Sequence, residues 1–362
     1  MMRLPDILGQ DEAMRVLDAE IRSGTMSHAY MLWGPRGSGR TLIARRLALA
    51  ANCSFRGEAP PESVLWYCGE CPNCAKIISG VHPDFSIIVP SGNSIKIAQI
   101  REMQLRISLK ANESELKTWL IDDAERMTEE AQNCLLKVLE EPPGRSLIIL
   151  VAQDREMLLP TISSRCHSVR LGTVDMRTMA EWASRELRLP QQRAQVLAVL
   201  SGGLPGRLAS LASDSDYFAV RDSIMARVRS VMWCGDGARA LDASEDLLDE
   251  LKKARARAQT QSQEAEGEAT TSEALEIATP AGACDCAAGW FRDLFVLSLT
   301  GDGELVINRD YMEALEEDVA RGSPELFARW TVRVMQTARA LQANANVRLA
   351  MDDFMLGLAL TR

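Results

Sequence analysis

Ala29-Tyr30-Met31-Leu32-Trp33-Gly34-Pro35-Arg36-Gly37-Ser38-Gly39-Arg40-Thr41 is the stretch that decides the fold. An apolar run reads as a buried strand, a glycine-rich turn follows, and Thr41 opens a helical pattern through Leu42, Ile43, Leu47 and Leu49. Strand, glycine loop and helix in that order make a phosphate-binding loop a structural expectation. Gly34, Gly37 and Gly39 leave room for backbone N–H groups to wrap a phosphate, and the helix N-terminus adds positive potential. Thr41 stands where a hydroxyl would hold magnesium. Arg40 occupies the place of the usual phosphate lysine. Its broad planar fork is a poor substitute for a compact ammonium at a tight phosphate site.

Around this loop, strands and helices alternate. Phe85 to Val89, Lys117 to Asp122 and Ser146 to Ala152 read as strands, and Ile97 to Leu109 as a helix. Asp122-Asp123 closes the second of these strands, the usual position for residues that hold magnesium and orient water. Thr128 is placed to cap a helix with Ala131, Leu135, Leu136 and Leu139 on its apolar face, stopped by Glu140-Glu141-Pro142-Pro143. The expected fold is a mainly parallel α/β domain over 1–171. Within it Cys53 and the run Cys68-Gly69-Glu70-Cys71-Pro72-Asn73-Cys74 supply four thiolates for a tetrahedral structural zinc. His82 is a spare ligand that four cysteines make unnecessary. His28 reads as structural rather than catalytic.

The rest of the sequence is helical: an expected lid over 172–229, then a helical domain over 230–362. The second is interrupted at 259–283 by a Gln-, Glu-, Ala-, Ser- and Thr-rich stretch that reads as a disordered insertion. The basic run Lys252 to Arg257 ahead of it reads as a solvated helix end. Cys284 and Cys286 are too close together to be useful ligands. At 362 residues the chain accommodates two or three domains, and its net charge of −9 argues against gripping nucleic acid unaided. There is no apolar run of membrane-spanning length and no signal-peptide core at the start, so the expected setting is cytoplasmic, with no membrane partner.

Taken together, these pieces resemble the bacterial DNA polymerase III clamp-loader subunits, an AAA+ family. The resemblance rests on Gly9-Gln10, His28-Ala29-Tyr30, the glycine loop, the four cysteines, Asn133 to Pro143, Ser164-Arg165-Cys166 and Asn344 to Ala350. It implies an AAA+ nucleotide-binding domain, a helical lid and a helical oligomerising collar. It also implies a five-member ring with gamma/tau and delta subunits that opens the sliding clamp and places it on primed DNA in replication. Two kinds of subunit share this layout: the ATP-hydrolysing gamma/tau subunit, and a neighbour that typically does not hydrolyse. Arg40 replaces the phosphate lysine and Asp123 the hydrolytic glutamate. Gly206 stands for the second sensing arginine, with Arg207 one residue off, and Ala152-Gln153 for a threonine sensor. These departures favour the non-hydrolysing kind, with its own ATP/Mg2+ site degenerate. By the same resemblance Arg165 is an arginine finger that reaches the ATP of the next subunit. A gamma/tau-type ATPase and a purely structural ring member are the alternatives.

Overall fold

The computed structural model describes residues 7–264 and 273–361. They form two compact units: residues up to 179 with 203–206, and residues 180–202 with those from 207 on.

The first unit is a parallel α/β sheet. Its elements are α1 (Asp11–Ser23), β1 (Ala29–Trp33), α2 (Arg40–Asn52), α3 (Pro72–Ile78), β2 (Phe85–Ile88) and α4 (Ile97–Ile107). Then follow β3 (Lys117–Ile121), α5 (Glu129–Glu140), β4 (Ser146–Ala152), α6 (Pro160–Ser163) and β5 (His167–Arg170). The sheet order is β2-β3-β4-β1-β5, every pair parallel. β3 and β4 are buried along their whole length, as strands covered on both faces must be. One core packs Leu17, Leu47 and Ile43 against Tyr30, Leu32 and Ile149; the other packs Ile100, Leu135 and Ile162 against Met31, Ile121 and Leu150. On α1, Ala13, Met14 and Leu17 are buried, whereas Val16 faces solvent. Thr128 caps α5 by accepting the Ala131 amide, as its position suggests.

β1 ends at Gly34, which is held closely by its neighbours. The Gly34 amide donates to the Ala152 carbonyl at 3.2 Å, and the Leu171 amide to the Trp33 carbonyl at 2.8 Å. A Cβ on Gly34 would lie 2.2 Å from the Leu171 carbonyl oxygen, so only glycine fits there.

From residue 176 the chain is helical: α7 (Met176–Glu186), α8 (Gln191–Leu200), α9 (Pro205–Ser213), α10 (Ser215–Met232), α11 (Gly237–Glu264), α12 (Glu273–Ile277), α13 (Pro280–Thr300), α14 (Met312–Val319), α15 (Pro324–Gln342) and α16 (Val347–Leu360). The second unit's core is aromatic, with Trp290, Phe291, Phe327, Trp330 and Phe354 buried. The buried Arg221 meets Asn308 Oδ1 and Asp310 Oδ2, each at 2.5 Å, which compensates its charge. Among the described residues no helix is long and apolar enough to cross a membrane.

The expected 229/230 junction lies inside α10, and the segment expected as a lid is shared between the two units. Within the expected disordered insertion, 259–264 continues α11, and 273–283 lies largely in α12 and the start of α13. Ala, Gln and Glu favour helix, and in the later part Ile277, Ala278 and Ala283 are buried, so that part has packing as well as propensity. The remainder, 265–272, lies outside the described residues.

Candidate nucleotide site, metal module and arginine

The phosphate loop joins β1 to α2. Gly37 and Gly39 take φ of 86° and 93°, and Gly39 forms the N-cap of α2. Arg40, the first residue of the helix, is only 6% exposed, and its Nη1 has no hydrogen-bond partner. Burial pulls its pKa below the ordinary arginine value, opposed by the carboxylates of Glu125, Asp122 and Asp123. The Thr41 hydroxyl lies 3.1 Å from both carboxylate oxygens of Asp122. The expected hydroxyl and carboxylate are therefore brought together from α2 and the end of β3. Burial pushes the Asp122 carboxyl above its usual range.

Asp123 behaves differently. Its backbone is left-handed at φ 48°, a conformation aspartate tolerates better than most residues. Its carboxylate is 39% exposed and lies 3.8 Å from Arg126. Glu125, two residues on, was not evident from the sequence because no periodicity marks it. Burial raises its carboxyl pKa, and it is the carboxylate that most strongly opposes the fall in the Arg40 pKa, a neighbour the motif does not announce.

Two remote segments close on the loop. The Gln10 side chain bridges both backbone groups of Gly172, giving its amide to the carbonyl at 2.8 Å and accepting the N–H at 3.2 Å. It also approaches the Ser38 carbonyl at 3.5 Å. The Gly206 amide donates to the Gly37 carbonyl at 2.8 Å, and the Val174 amide to the Gly203 carbonyl at 2.8 Å. The Gly-Leu-Pro-Gly run thus lies against the phosphate loop.

The four cysteines expected as ligands come together: the Sγ atoms of Cys53, Cys68, Cys71 and Cys74 all lie within 4.8 Å of one another. Tetrahedral bonds of about 2.3 Å would separate sulfurs by about 3.8 Å, and Cys68 and Cys74 are 3.9 Å apart. Backbone amides point at the sulfurs, from Cys71 to Cys68 at 3.2 Å and from Cys74 to Cys71 at 3.4 Å. Such donors stabilise negative charge on sulfur. Burial alone would raise the Cys71 thiol, but the amides of Cys74 and Ser54 bring it down to about 6. Burial pushes the Cys53 and Cys74 thiols up. This cluster could hold a metal. His82 is not part of it: its Nδ1 accepts the Asp84 amide at 3.0 Å and its Nε2 faces Asn73 Oδ1 at 3.3 Å. Asn73 in turn donates to the Asn52 carbonyl, and Asn52 to the Thr118 hydroxyl, each at 2.9 Å, which ties the module to β3.

Arg165 lies between α6 and β5. Its Nη2 is 2.7 Å from Glu140 Oε1, and its Nη1 donates to the Thr161 carbonyl at 2.9 Å. The side chain is 36% exposed. Glu140 reads in the sequence as part of a helix stop; its contact with Arg165 is invisible there, because 25 positions separate the two residues.

Residues 9–175 match a family model described as DNA polymerase III, delta subunit. The chain is 26% identical over 351 residues to the DNA polymerase III subunit delta' of Bacillus subtilis, covering 96% of each. It is 34% identical over 182 residues to the subunit delta' of Pseudomonas aeruginosa, covering 49% of this chain and 54% of that protein. With the DNA polymerase III subunit tau of Salmonella typhimurium it shares 31% identity over 58% of this chain and 32% of the relative. It therefore spans nearly the whole of one relative, about half of the second and about a third of the last. Alongside the glycine loop and the Thr41–Asp122 pair, these matches make the chain similar to DNA polymerase III subunits, with delta' subunits and a tau subunit among them.

Proposed function

We propose that this chain is a ring member of the DNA polymerase III clamp loader that hydrolyses little or no ATP itself and supplies Arg165 to an ATP bound by its neighbour. Its partners are the gamma/tau and delta subunits in a hetero-pentameric ring, with the helical region from residue 176 on supplying a lid and an oligomerising collar. The ring acts on the sliding clamp and primed DNA. The observation that carries this reading is the contrast between two sites in one unit. Thr41 and Asp122 keep a magnesium-type pairing, while Arg40 is buried at the lysine position and Asp123 turns toward Arg126. Arg165, by comparison, is partly exposed with its guanidinium fixed at two points.

The chemistry follows from these residues. A nucleotide bound at the neighbour supplies the phosphoryl group to be transferred. Arg165 would place N–H donors and positive charge where negative charge grows on that group, a role the planar fork serves better than an ammonium. At the chain's own loop, backbone amides and Thr41 would meet nucleotide phosphates and magnesium. Asp123 lacks both the reach and the direction to orient water. The cysteine cluster would hold one structural zinc, with the amide donors setting the thiolates.

The test is reconstitution. The chain should co-elute with gamma/tau and delta as a defined ring and should not turn over ATP alone, while the ring hydrolyses ATP when DNA is added. Failure to enter the ring, or independent turnover comparable to gamma/tau, contradicts the reading.

A further inference from the structure

We infer that Glu140 is a positioning residue for Arg165, an inference that rests on the trans-acting role proposed above. α5 grips the arginine-bearing segment twice. Gln132 Oε1 accepts the Leu159 amide at 2.9 Å, and its Nε2 donates to the Met127 carbonyl at 3.3 Å. At the last residue of the same helix, Glu140 Oε1 meets Arg165 Nη2 at 2.7 Å. These two anchors are spaced about 12 Å along a rigid helix axis, so the segment from Leu159 to Arg165 is held at both ends.

The second contact fixes orientation as well as place. An unattached arginine carries about 2 kcal/mol of rotamer entropy, which a finger must lose when it engages a phosphate. Here Nη2 is held by Glu140 and Nη1 by the Thr161 carbonyl, so the plane of the guanidinium is set before any partner arrives. A guanidinium has several N–H donors. One contact on each terminal nitrogen leaves Nε–H and a second hydrogen on each terminal nitrogen for phosphate oxygens. The pair is also too exposed, at 36% and 49%, to matter much for folding. Removing Glu140 therefore changes the geometry of Arg165 with little effect on stability.

The experiment is a double-mutant cycle in the reconstituted ring with gamma/tau and delta. It compares wild type, Glu140→Ala, Arg165→Ala and the double variant for DNA-stimulated single-turnover hydrolysis, ATP affinity and melting temperature. Glu140→Ala should slow the neighbour's hydrolysis about two- to fivefold with ATP affinity, assembly and melting temperature unchanged. In the Arg165→Ala background it should have no further effect. A wild-type or faster rate in Glu140→Ala, or an effect that multiplies with that of Arg165→Ala, overturns the positioning role while leaving Arg165 as the finger. If Arg165→Ala has no effect, both fall together.

Discussion

The Gly206 amide donates to the Gly37 carbonyl at 2.8 Å, so the start of α9 is fastened to the middle of the phosphate loop. A Cβ at position 206 would lie 3.1 Å from both the Cα and the carbonyl oxygen of Gly37. Backbone cannot swing aside as a side-chain tip can. Gly206→Arg should therefore destabilise the protein by about 1–3 kcal/mol without producing a working sensor. Gly206→Ala should shift it the same way by less. Thermal unfolding of both variants checks this, and a Gly206→Arg protein as stable as wild type would count against the packing argument.

The cysteine cluster predicts one zinc per chain. Elemental analysis of protein purified without chelator should find it, and Cys71→Ser should lower the melting temperature, since Cys71 also caps α3 by accepting the Cys74 amide. Zinc-free protein with an unchanged melting temperature in chelator would show that the thiols hold no structural ion.

Asp84 predicts a pH dependence. It is 4% exposed and accepts the amides of Asn112, Glu113 and Ser114 at 2.8–3.0 Å. Burial pushes its carboxyl up, but those amides and His82 outweigh it, and the pKa ends below the ordinary value. A carboxylate with a depressed folded-state pKa contributes stability above its unfolded value, about 3.9, and loses it as pH falls through the folded one. Asp84→Asn should cost about 1–3 kcal/mol near pH 7, because its NH2 faces N–H donors. The gap to wild type should narrow below about pH 4. A gap that stays constant down to acid pH would mean the carboxylate charge is not what those amides hold.

The parts of this fold that were legible in the sequence are those whose side chains alone specify them. β1, β3 and β4 are continuous apolar runs, and the observed strands match the expected ones to within a residue or two. β5 carries no strand signal in the sequence, because His167-Ser168-Val169-Arg170 has one buried position, Val169; at the sheet edge it pairs with β1. Helix over 259–264 is hidden for the opposite reason: a polar composition that looks unfoldable alone continues an existing helix. The candidate site residues stand out as motifs, and the structure groups Thr41 with Asp122 and the four cysteines with one another. What periodicity could not supply were contacts between distant segments: Gln10 with Gly172, Gly206 with Gly37, and Glu140 with Arg165. Nor could it give the left-handed backbone that turns Asp123 outward.

The proposed degeneracy of the chain's candidate nucleotide site is open to a restoration experiment. Arg40→Lys should not create an ATPase, because Asp123 still faces Arg126 and the Gly206 backbone still packs on Gly37 with no side chain there to contact a nucleotide. Turnover of the isolated variant should stay below about 1 per second, the low end of ordinary enzyme rates. Faster turnover would mean that the lysine alone was missing.

The central claim is the action of Arg165 on a neighbour's nucleotide. The direct measurement is single-turnover hydrolysis at the adjacent site of a reconstituted ring, with wild type against Arg165→Ala and assembly confirmed by co-elution. Arginine fingers supply about 10³- to 10⁵-fold where chemistry limits turnover; one of several sites is affected here, so the loss in total steady-state hydrolysis should be smaller. The account predicts a normally assembled ring whose adjacent site is slowed and whose clamp loading is reduced. An intact mutant ring that hydrolyses ATP at the adjacent site at the wild-type rate would contradict it and leave the chain as a structural ring member.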